Sequence, residues 1–452
     1  MSGPTKRHML LCTALAMLGT GLGTGAPEMA LAAPSSKAGA PAASQAAGPG
    51  RDGRVSFTAG EAAAARPAGL TVPVRIAGDD VAAFQRLVDG AAQAAEPWLV
   101  LSGGGENGAF AAGLLSGWSA AGDRPSFGVV TGVSTGALIA PFAFVGAAGD
   151  RPLEAAYTTI TAADVFEFGG TSEALTDTWP LKRRIDRTVT PDLLKAVAAE
   201  HAKGRRLLVA TTEVDTERPV LWDMGAIATA GGPKALDLFR AIVLASSAVP
   251  GIFPPVMIDA LAPDGKAFQE MHADGGTTAP FYLAPGAAIT GAAPVRIPAR
   301  SVYLVVNNKL TPDFQVASRT TLSVLGRSLS AAIKAQTRAA LALTRGFAAA
   351  NGLDLQVAEI DGRFTQTASA PFDQGYMKAL YAHGERLGRA GTAFATPDAL
   401  ARADQPPAAG EAALATGSVA PATRGSPHAQ GAQHAHQGAP RAQAASGSLA
   451  RR

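Results

Sequence analysis

Apolar and polar positions alternate in two periods over the middle of the chain. Short apolar runs bounded by glycine or polar residues predict strands at 98–101, 127–130, 207–211, 220–223, 302–307 and 353–360. Apolar residues spaced three and four apart predict helices at 81–95, 108–120, 137–146, 235–246, 322–345 and 374–388. Strands without a polar face that alternate with helices are typical of buried parallel sheets. We therefore predict an α/β fold, a three-layer sandwich with a mostly parallel central sheet covered by helices on both faces.

The N-terminal end has a different pattern. Residues 1–32 combine a short basic region at Lys6 and Arg7, an apolar stretch at 9–17 that is too short to span a bilayer, and an Ala-Leu-Ala sequence before residue 33. These are the parts of a secretory signal peptide. Its cleavage would remove Cys12, the one cysteine in the sequence, and would leave no thiol for a disulfide, catalysis or zinc. We expect an exported protein, periplasmic or secreted.

Low-complexity composition bounds the folded part. Residues 33–70 are rich in Ala, Pro, Gly and Ser and are interpreted as a disordered linker, and residues 396–452 as a disordered tail that also contains Gln and His. The predicted domain therefore covers 71–395. Within it, residues 153–203 are more charged and interrupt the strand–helix alternation, which is typical of an insertion, and we expect this insertion to cover the site.

Composition and charge exclude several partners. The 452 residues carry a net charge of only +3 with no block of Lys and Arg, so nothing indicates nucleic-acid binding. No apolar stretch after the predicted leader is expected to cross a membrane. The tail histidines His428, His434 and His436 have no carboxylate or scaffold beside them, so we expect neither a metal nor a cofactor.

The glycine-rich sequence "LVLSGGGENGAFAAGLL" at 99–115 allows two interpretations. Gly103, Gly105 and Gly108 match the G-x-G-x-x-G pattern of dinucleotide-binding loops. That site also needs an acidic residue at the end of the next strand, but Thr131 and the residues after it stand there. The same bare N–H groups could instead stabilise the oxyanion of an acyl-transfer reaction.

A second glycine pattern favours the acyl-transfer interpretation. Residues 132–136, Gly-Val-Ser-Thr-Gly, form G-x-S-x-G between a predicted strand and a predicted helix, which is the context of a nucleophile elbow. Such a turn exposes the serine Oγ at the N-terminus of a helix, where developing negative charge is favoured. Ser134 is therefore the candidate nucleophile, and the alternative is an ordinary tight turn with a capping serine.

Several residues could act as the base. His201, His272 and His383 lie in the predicted domain, and Asp274 stands in "HADGGTTAPF" at 272–281. An Asp-Gly step alone is more typical of a hairpin turn. His272 would share a face with Asp274 on an extended segment, but we interpret it as structural.

The three motifs together resemble the patatin-like phospholipases. Gly103-Gly104-Gly105 after a strand, the Ser134 elbow and Asp274-Gly275-Gly276 occur in that family's order, and "ASSAVPGIFPPV" at 245–256 is similar to the segment before its aspartate. The resemblance implies a Ser-Asp dyad in which Ser134 is the nucleophile, Asp274 the base, and the loop Gly103, Gly104 and Gly105 the oxyanion hole. It implies hydrolysis of a lipid or acyl ester, which a membrane surface could present. Many members have a basic residue after the glycines, where this chain has Glu106-Asn107.

Other hypotheses stay open at this point. A Ser-His-Asp carboxylesterase would use Ser134, Asp274 and His383, although His383 lies in a predicted helix. A non-catalytic module could bind a nucleotide through the glycine loop, and an inactive relative could bind lipid. The sequence leaves the lipid, the acyl position and the oligomeric state undetermined.

Overall fold

The computed structural model describes residues 53–91, 97–170, 172–312, 314 and 316–396. The predicted signal peptide and almost all of the predicted tail, including its histidines, lie outside these residues. A mixed ten-stranded sheet forms the centre of the described chain, and a separate two-stranded sheet lies in the predicted insertion.

The strands are as follows, numbered along the chain. They are β1 Arg66–Pro67, β2 Arg75–Ala77, β3 Trp98–Leu101, β4 Val129–Val133, β5 Glu167–Phe168, β6 Thr176–Asp177, β7 Arg206–Glu213, β8 Arg218–Asp223, β9 Val256–Leu261, β10 Ala267–Asp274, β11 Ser301–Val306 and β12 Asp354–Glu359.

Twelve helices accompany them in the described residues. They are α1 Ala59–Ala64, α2 Val81–Asp89, α3 Gly108–Ala121, α4 Thr135–Phe144, α5 Asp150–Thr158, α6 Trp179–Thr188, α7 Pro191–Ala202, α8 Met224–Ala230, α9 Gly232–Ser246, α10 Gly286–Ile289, α11 Thr321–Ala350 and α12 Gln374–Arg389. Short 3-10 turns at Gly105–Asn107 and Gly275–Thr277 follow β3 and β10.

The middle of the large sheet is parallel and its margins are antiparallel. Strands β12, β11, β3, β4 and β7 lie side by side in parallel, with Leu101 opposite Gly132 and Val133 opposite Ala210. Beyond β7, strands β10, β9 and β1 pair antiparallel, and β8 and β2 add an antiparallel margin next to β7. This register brings the C-terminal ends of β3, β4 and β10 to one edge, where loops can build a site.

Helices bury both faces of this sheet. Successive residues of β3 alternate between two apolar clusters, with Leu99 and Leu101 in one and Trp98 and Val100 in the other. The first cluster packs against α3, α4 and α12, and the second against α2 and the C-terminal part of α11. The predicted α/β class with a helix–sheet–helix layering is confirmed.

One expectation needs correction. The predicted linker over 33–70 is too long, because residues from Gly53 onward fold onto the sheet margin: Thr58 caps α1, β1 pairs with β9, and Phe57 stacks on Phe268 at 4.4 Å.

The antiparallel strands β9 and β10 are absent from the sequence-based assignment. The apolar pattern does not indicate them, because β10 mixes charged and apolar residues.

Candidate active site

Ser134 stands at a sharp turn between β4 and α4. Its backbone has φ 56° and ψ −125°, a conformation that residues other than glycine rarely adopt and that is concentrated at functional sites. Its N–H donates to Ser246 Oγ at 3.0 Å, and its side chain makes no cap hydrogen bond to α4. The interpretation as an ordinary capping serine is therefore unsupported, and the Oγ is left available for chemistry.

The glycines on either side of Ser134 make this turn possible. A Cβ at Gly132 would lie 2.4 Å from the Gly136 carbonyl oxygen, and a Cβ at Gly136 would lie 2.4 Å from the Leu101 carbonyl oxygen. Both distances are far below van der Waals contact. The G-x-S-x-G pattern is thus a packing requirement of the turn between β4, α4 and the neighbouring strand β3.

Asp274 ends β10, next to the elbow. Asp274 pairs with Thr211 of β7, and β7 is the parallel neighbour of β4. Asp274 is 5 % exposed, and its Oδ1 accepts a hydrogen bond from Gly276 N–H at 2.7 Å. Its Oδ2 is buried with no hydrogen-bond partner among the described residues. The Asp-Gly step therefore starts a 3-10 turn at a strand end, and it is not a hairpin turn.

Burial controls the ionisation of this carboxyl. Loss of water raises the pKa of Asp274 to about 6, against the smaller lowering effects of the Ser134 hydroxyl and the Gly276 N–H. The hydroxyl is thus near enough to influence the carboxyl. A carboxylate with this pKa is a far better base than an exposed one, since its affinity for a proton is higher.

The glycine loop lies against the nucleophile. A Cβ at Gly103 would be 3.8 Å from Ser134 Oγ, and the Gly103 N–H donates to the Pro280 carbonyl oxygen at 3.0 Å. Within the described chain, the N–H groups of Gly104 and Gly105 have no acceptor. Gly105 has φ +58°, which a side chain would strain. Of the three predicted oxyanion glycines, Gly104 and Gly105 thus have unused donors.

Glu106 and Asn107 attach the glycine loop to the start of α12. The Glu106 carboxylate accepts a hydrogen bond from the Phe372 N–H, and Asn107 Oδ1 accepts one from the Tyr376 hydroxyl at 2.7 Å. Burial raises the pKa of Glu106. Both side chains therefore hold the loop in place, which the sequence did not indicate.

A cavity of about 770 Å³ opens over Ser134 and Asp274. Two helical regions contribute much of its wall. The predicted insertion and α5 contribute Ala156, Tyr157, Ile160, Val165, Leu181, Arg184, Ile185 and Thr188, and α11 contributes Gly326, Leu329, Ser330, Ala332, Ile333, Gln336 and Thr337. Gly103, Gly104 and Gly105 also line it. The wall is largely apolar, and Arg184 and Asp274 are the charged side chains among its described lining residues.

The candidate histidines lie away from this cavity's lining. His383 packs between the rings of Phe110 and Phe364, with Nε2 3.6 Å from Asp361 Oδ1. His272 is fully buried, and its Nδ1 lies 3.0 Å from Thr211 Oγ1. His201 faces Asp223 at 3.7 Å. The structure thus brings together Ser134, Asp274 and the glycine loop but no histidine.

Among the described residues, no group of three or more His, Cys, Asp or Glu side chains is arranged to hold a metal ion. None of the described helices has the length and apolar character needed to span a bilayer.

Comparison with known proteins gives one family match. The model of the family described as patatin-like phospholipase matches residues 99–285, which include the glycine loop, Ser134 and Asp274. Among solved structures, VipD from Legionella pneumophila is similar with 12 % sequence identity and a TM-score of 0.30, over 66 % of this chain and 67 % of that chain. No curated protein sequence matches significantly.

Proposed function

We propose that the protein is a lipid acyl hydrolase that cleaves fatty-acyl esters with a Ser134–Asp274 dyad, because residues 99–285 match the family model described as patatin-like phospholipase. The family supports lipid hydrolysis in general. One observation carries the finer proposal: the strained Ser134 and the buried Asp274, whose Oδ2 has no hydrogen-bond partner in the described chain, line the same cavity. A buried carboxylate oxygen left unpaired beside a serine is costly for stability and useful for proton transfer.

Acylation begins with proton transfer within the dyad. The Asp274 carboxylate takes the hydroxyl proton as Ser134 Oγ forms a bond to the ester carbonyl carbon. The carbonyl oxygen becomes an oxyanion, which the free N–H groups of Gly104 and Gly105 stabilise. When the tetrahedral intermediate collapses, the bond to the leaving oxygen breaks. Asp274 returns its proton to that alcohol, and an acyl-serine remains.

Deacylation repeats these steps with water. Asp274 accepts a proton from a water molecule, whose oxygen attacks the acyl-serine carbonyl carbon. Collapse of the second intermediate breaks the bond to Ser134 Oγ and releases a fatty acid, and the proton on Asp274 returns to the serine oxygen. Neither half-reaction requires a metal or a cofactor.

The cavity suits a fatty-acyl chain. Its volume of about 770 Å³ lies in the range of small-molecule sites, and its wall is mostly aliphatic and aromatic. Burying methylene groups there would be favourable by ~0.8 kcal/mol each. Ile160, Ile185 and Leu329 are wall residues of this kind.

We expect Ser134→Ala to reduce hydrolysis of a short-chain fatty-acyl ester by at least about a thousand-fold, because the nucleophile is lost. A fluorophosphonate probe followed by peptide mapping should label Ser134 in the unmodified protein. Ser328→Ala is the matched control, since Ser328 is an exposed serine on α11 outside the cavity lining and should leave activity intact.

A histidine-dependent mechanism would give a different result. His383→Ala should change kcat by only a few-fold if the dyad acts alone, whereas a Ser-His-Asp triad predicts a loss of several orders of magnitude. Labelling at a serine other than Ser134, or activity that survives Ser134→Ala, would refute the proposal.

The site of action is also proposed. The leader-like features of residues 1–32 support export, and so a periplasmic or extracellular substrate. Lipids at a membrane surface are substrates that such a protein would meet.

A further inference from the structure

Arg184 is the one cationic side chain among the described residues that line the cavity. It lies on α6, inside the predicted insertion, and is half-buried. The neighbouring lining residues on this helix are Leu181, Ile185 and Thr188. A guanidinium in such apolar surroundings is unusual, because a charge loses its hydration there.

No direct ion pair within the described residues holds this charge. Arg184 Nη2 donates to the Ala155 carbonyl oxygen at 3.2 Å, and no carboxylate of the described residues comes within 4 Å of its guanidinium. Burial lowers the pKa of Arg184, and the more distant Asp164 only partly opposes this.

Three more deeply buried arginines of the described residues each pair with a carboxylate. Arg75 binds Glu270, Arg124 binds Asp150 at 2.7 Å, and Arg205 binds Glu200 at 2.6 Å. The half-buried Arg184 has no such ion pair and lines the candidate active site, so its guanidinium is available to a ligand of opposite charge.

Arg184 shares the cavity with the elbow, since Ser134 and Thr135 also line it. Tyr157 also lines this cavity, and its hydroxyl is hydrogen-bonded to that of Thr135, which directly follows Ser134. An anion bound by the guanidinium would therefore lie in the cavity that holds the reacting ester.

We propose that Arg184 binds the phosphate of a phospholipid headgroup and so selects phospholipids over uncharged acyl esters. The guanidinium can donate two parallel hydrogen bonds to phosphate oxygens, which a neutral glyceride lacks. The inference rests on the proposed function, since it names the substrate class of the same site.

The test compares two monomeric substrates with the same acyl chains, dihexanoylphosphatidylcholine and dihexanoylglycerol. Arg184→Gln should lower kcat/KM for the phospholipid by about ten- to a hundred-fold, the effect of losing a charge-assisted hydrogen bond. For the glyceride it should change kcat/KM less than twofold. Arg184→Lys should restore part of the loss. Arg187→Gln removes an exposed charge one turn along α6 and should leave both substrates unaffected.

A binding measurement separates the two proposals. In the Ser134→Ala background, calorimetry should show tighter binding of the phospholipid than of the glyceride, and Arg184→Gln should abolish the difference. If the unmodified protein hydrolyses neither ester but this binding difference persists, the hydrolase proposal fails and the phosphate site stands. An equal loss on both substrates, or no loss on either, would overturn the role given to Arg184.

Discussion

Asp274 sets the expected pH dependence of the reaction. It must be ionised to accept the serine proton, and burial raises its pKa to about 6. We therefore expect kcat/KM for an uncharged ester to be level above that pH and to fall about tenfold per unit below it. An ordinary aspartate, with a pKa near 3.8, would keep the rate level down to about pH 5.

A control separates Asp274 from the other buried carboxyl of the site. Burial also raises the pKa of Glu106, which binds the Phe372 N–H. Glu106→Gln should keep the acid limb of the profile, measured where circular dichroism shows an intact fold. If Glu106→Gln lost the acid limb, the pH dependence would be due to Glu106 and not to Asp274.

Site residues that depend on nearby sequence could be predicted, whereas those that depend on contacts between distant parts of the chain could not. Ser134 is predictable because its glycines, strand and helix are all within a few residues. Asp274 is 140 positions away in sequence, and its place beside Ser134 depends on the antiparallel pairing of β10 with β7. No local signal encodes that pairing, so only the family resemblance pointed to Asp274. The roles of Glu106 and Arg184 depend on distant contacts and were not predicted.

Helices α3 and α12 pack through glycines at unusually close range. A Cβ at Gly113 would lie 2.0 Å from the Tyr381 carbonyl oxygen, and one at Gly117 would lie 2.1 Å from that of Glu385. Both helices were predicted from apolar spacing, but their contact was not, because spacing gives a face and not its partner. Since α3 follows the glycine loop, this contact also supports the candidate oxyanion hole.

Gly117→Ala should therefore destabilise the protein. Alanine favours the helix over glycine by ~1 kcal/mol of intrinsic propensity. The added Cβ would overlap the backbone of α12, which cannot rotate away as a side chain can, and such overpacking costs about 1–3 kcal/mol or more in stability. We expect a net loss of stability in urea unfolding. Gly346→Ala on α11 is the matched control, because nothing lies within 4 Å of its added Cβ, and it should be neutral or stabilising. A stabilised Gly117→Ala would mean that the two helices separate easily.

At the scale of the whole molecule, the segment 53–70 belongs to the fold. Arg54 binds Asp215, and Arg75 donates to the carbonyl oxygens of Ala62 and Ala65. Leu70 is buried. The segment 53–70 is rich in small residues and has few large apolar ones. Its apolar pattern is therefore weak, and the predicted linker extended too far.

Truncation tests this assignment. A chain that starts at residue 71 should be less stable than one that starts at residue 53 by at least about 2 kcal/mol, because it loses the Phe57–Phe268 stack and several buried apolar side chains. Thermal unfolding of the two truncated proteins measures the difference. Equal melting temperatures would mean that residues 53–70 do not stabilise the fold and act only as a linker.

Much of the cavity wall comes from a different part of the architecture than the candidate catalytic residues. Ser134 and Asp274 stand at the ends of strands of the large sheet, whereas helices α5, α6 and α11, which lie outside that sheet, contribute a large share of the wall. Substitutions in those helices can lengthen, shorten or recharge the pocket while the strand register stays fixed. Substrate range and chemical competence are therefore separately adjustable, so this scaffold suits selection of new ester specificities without rebuilding its catalytic centre.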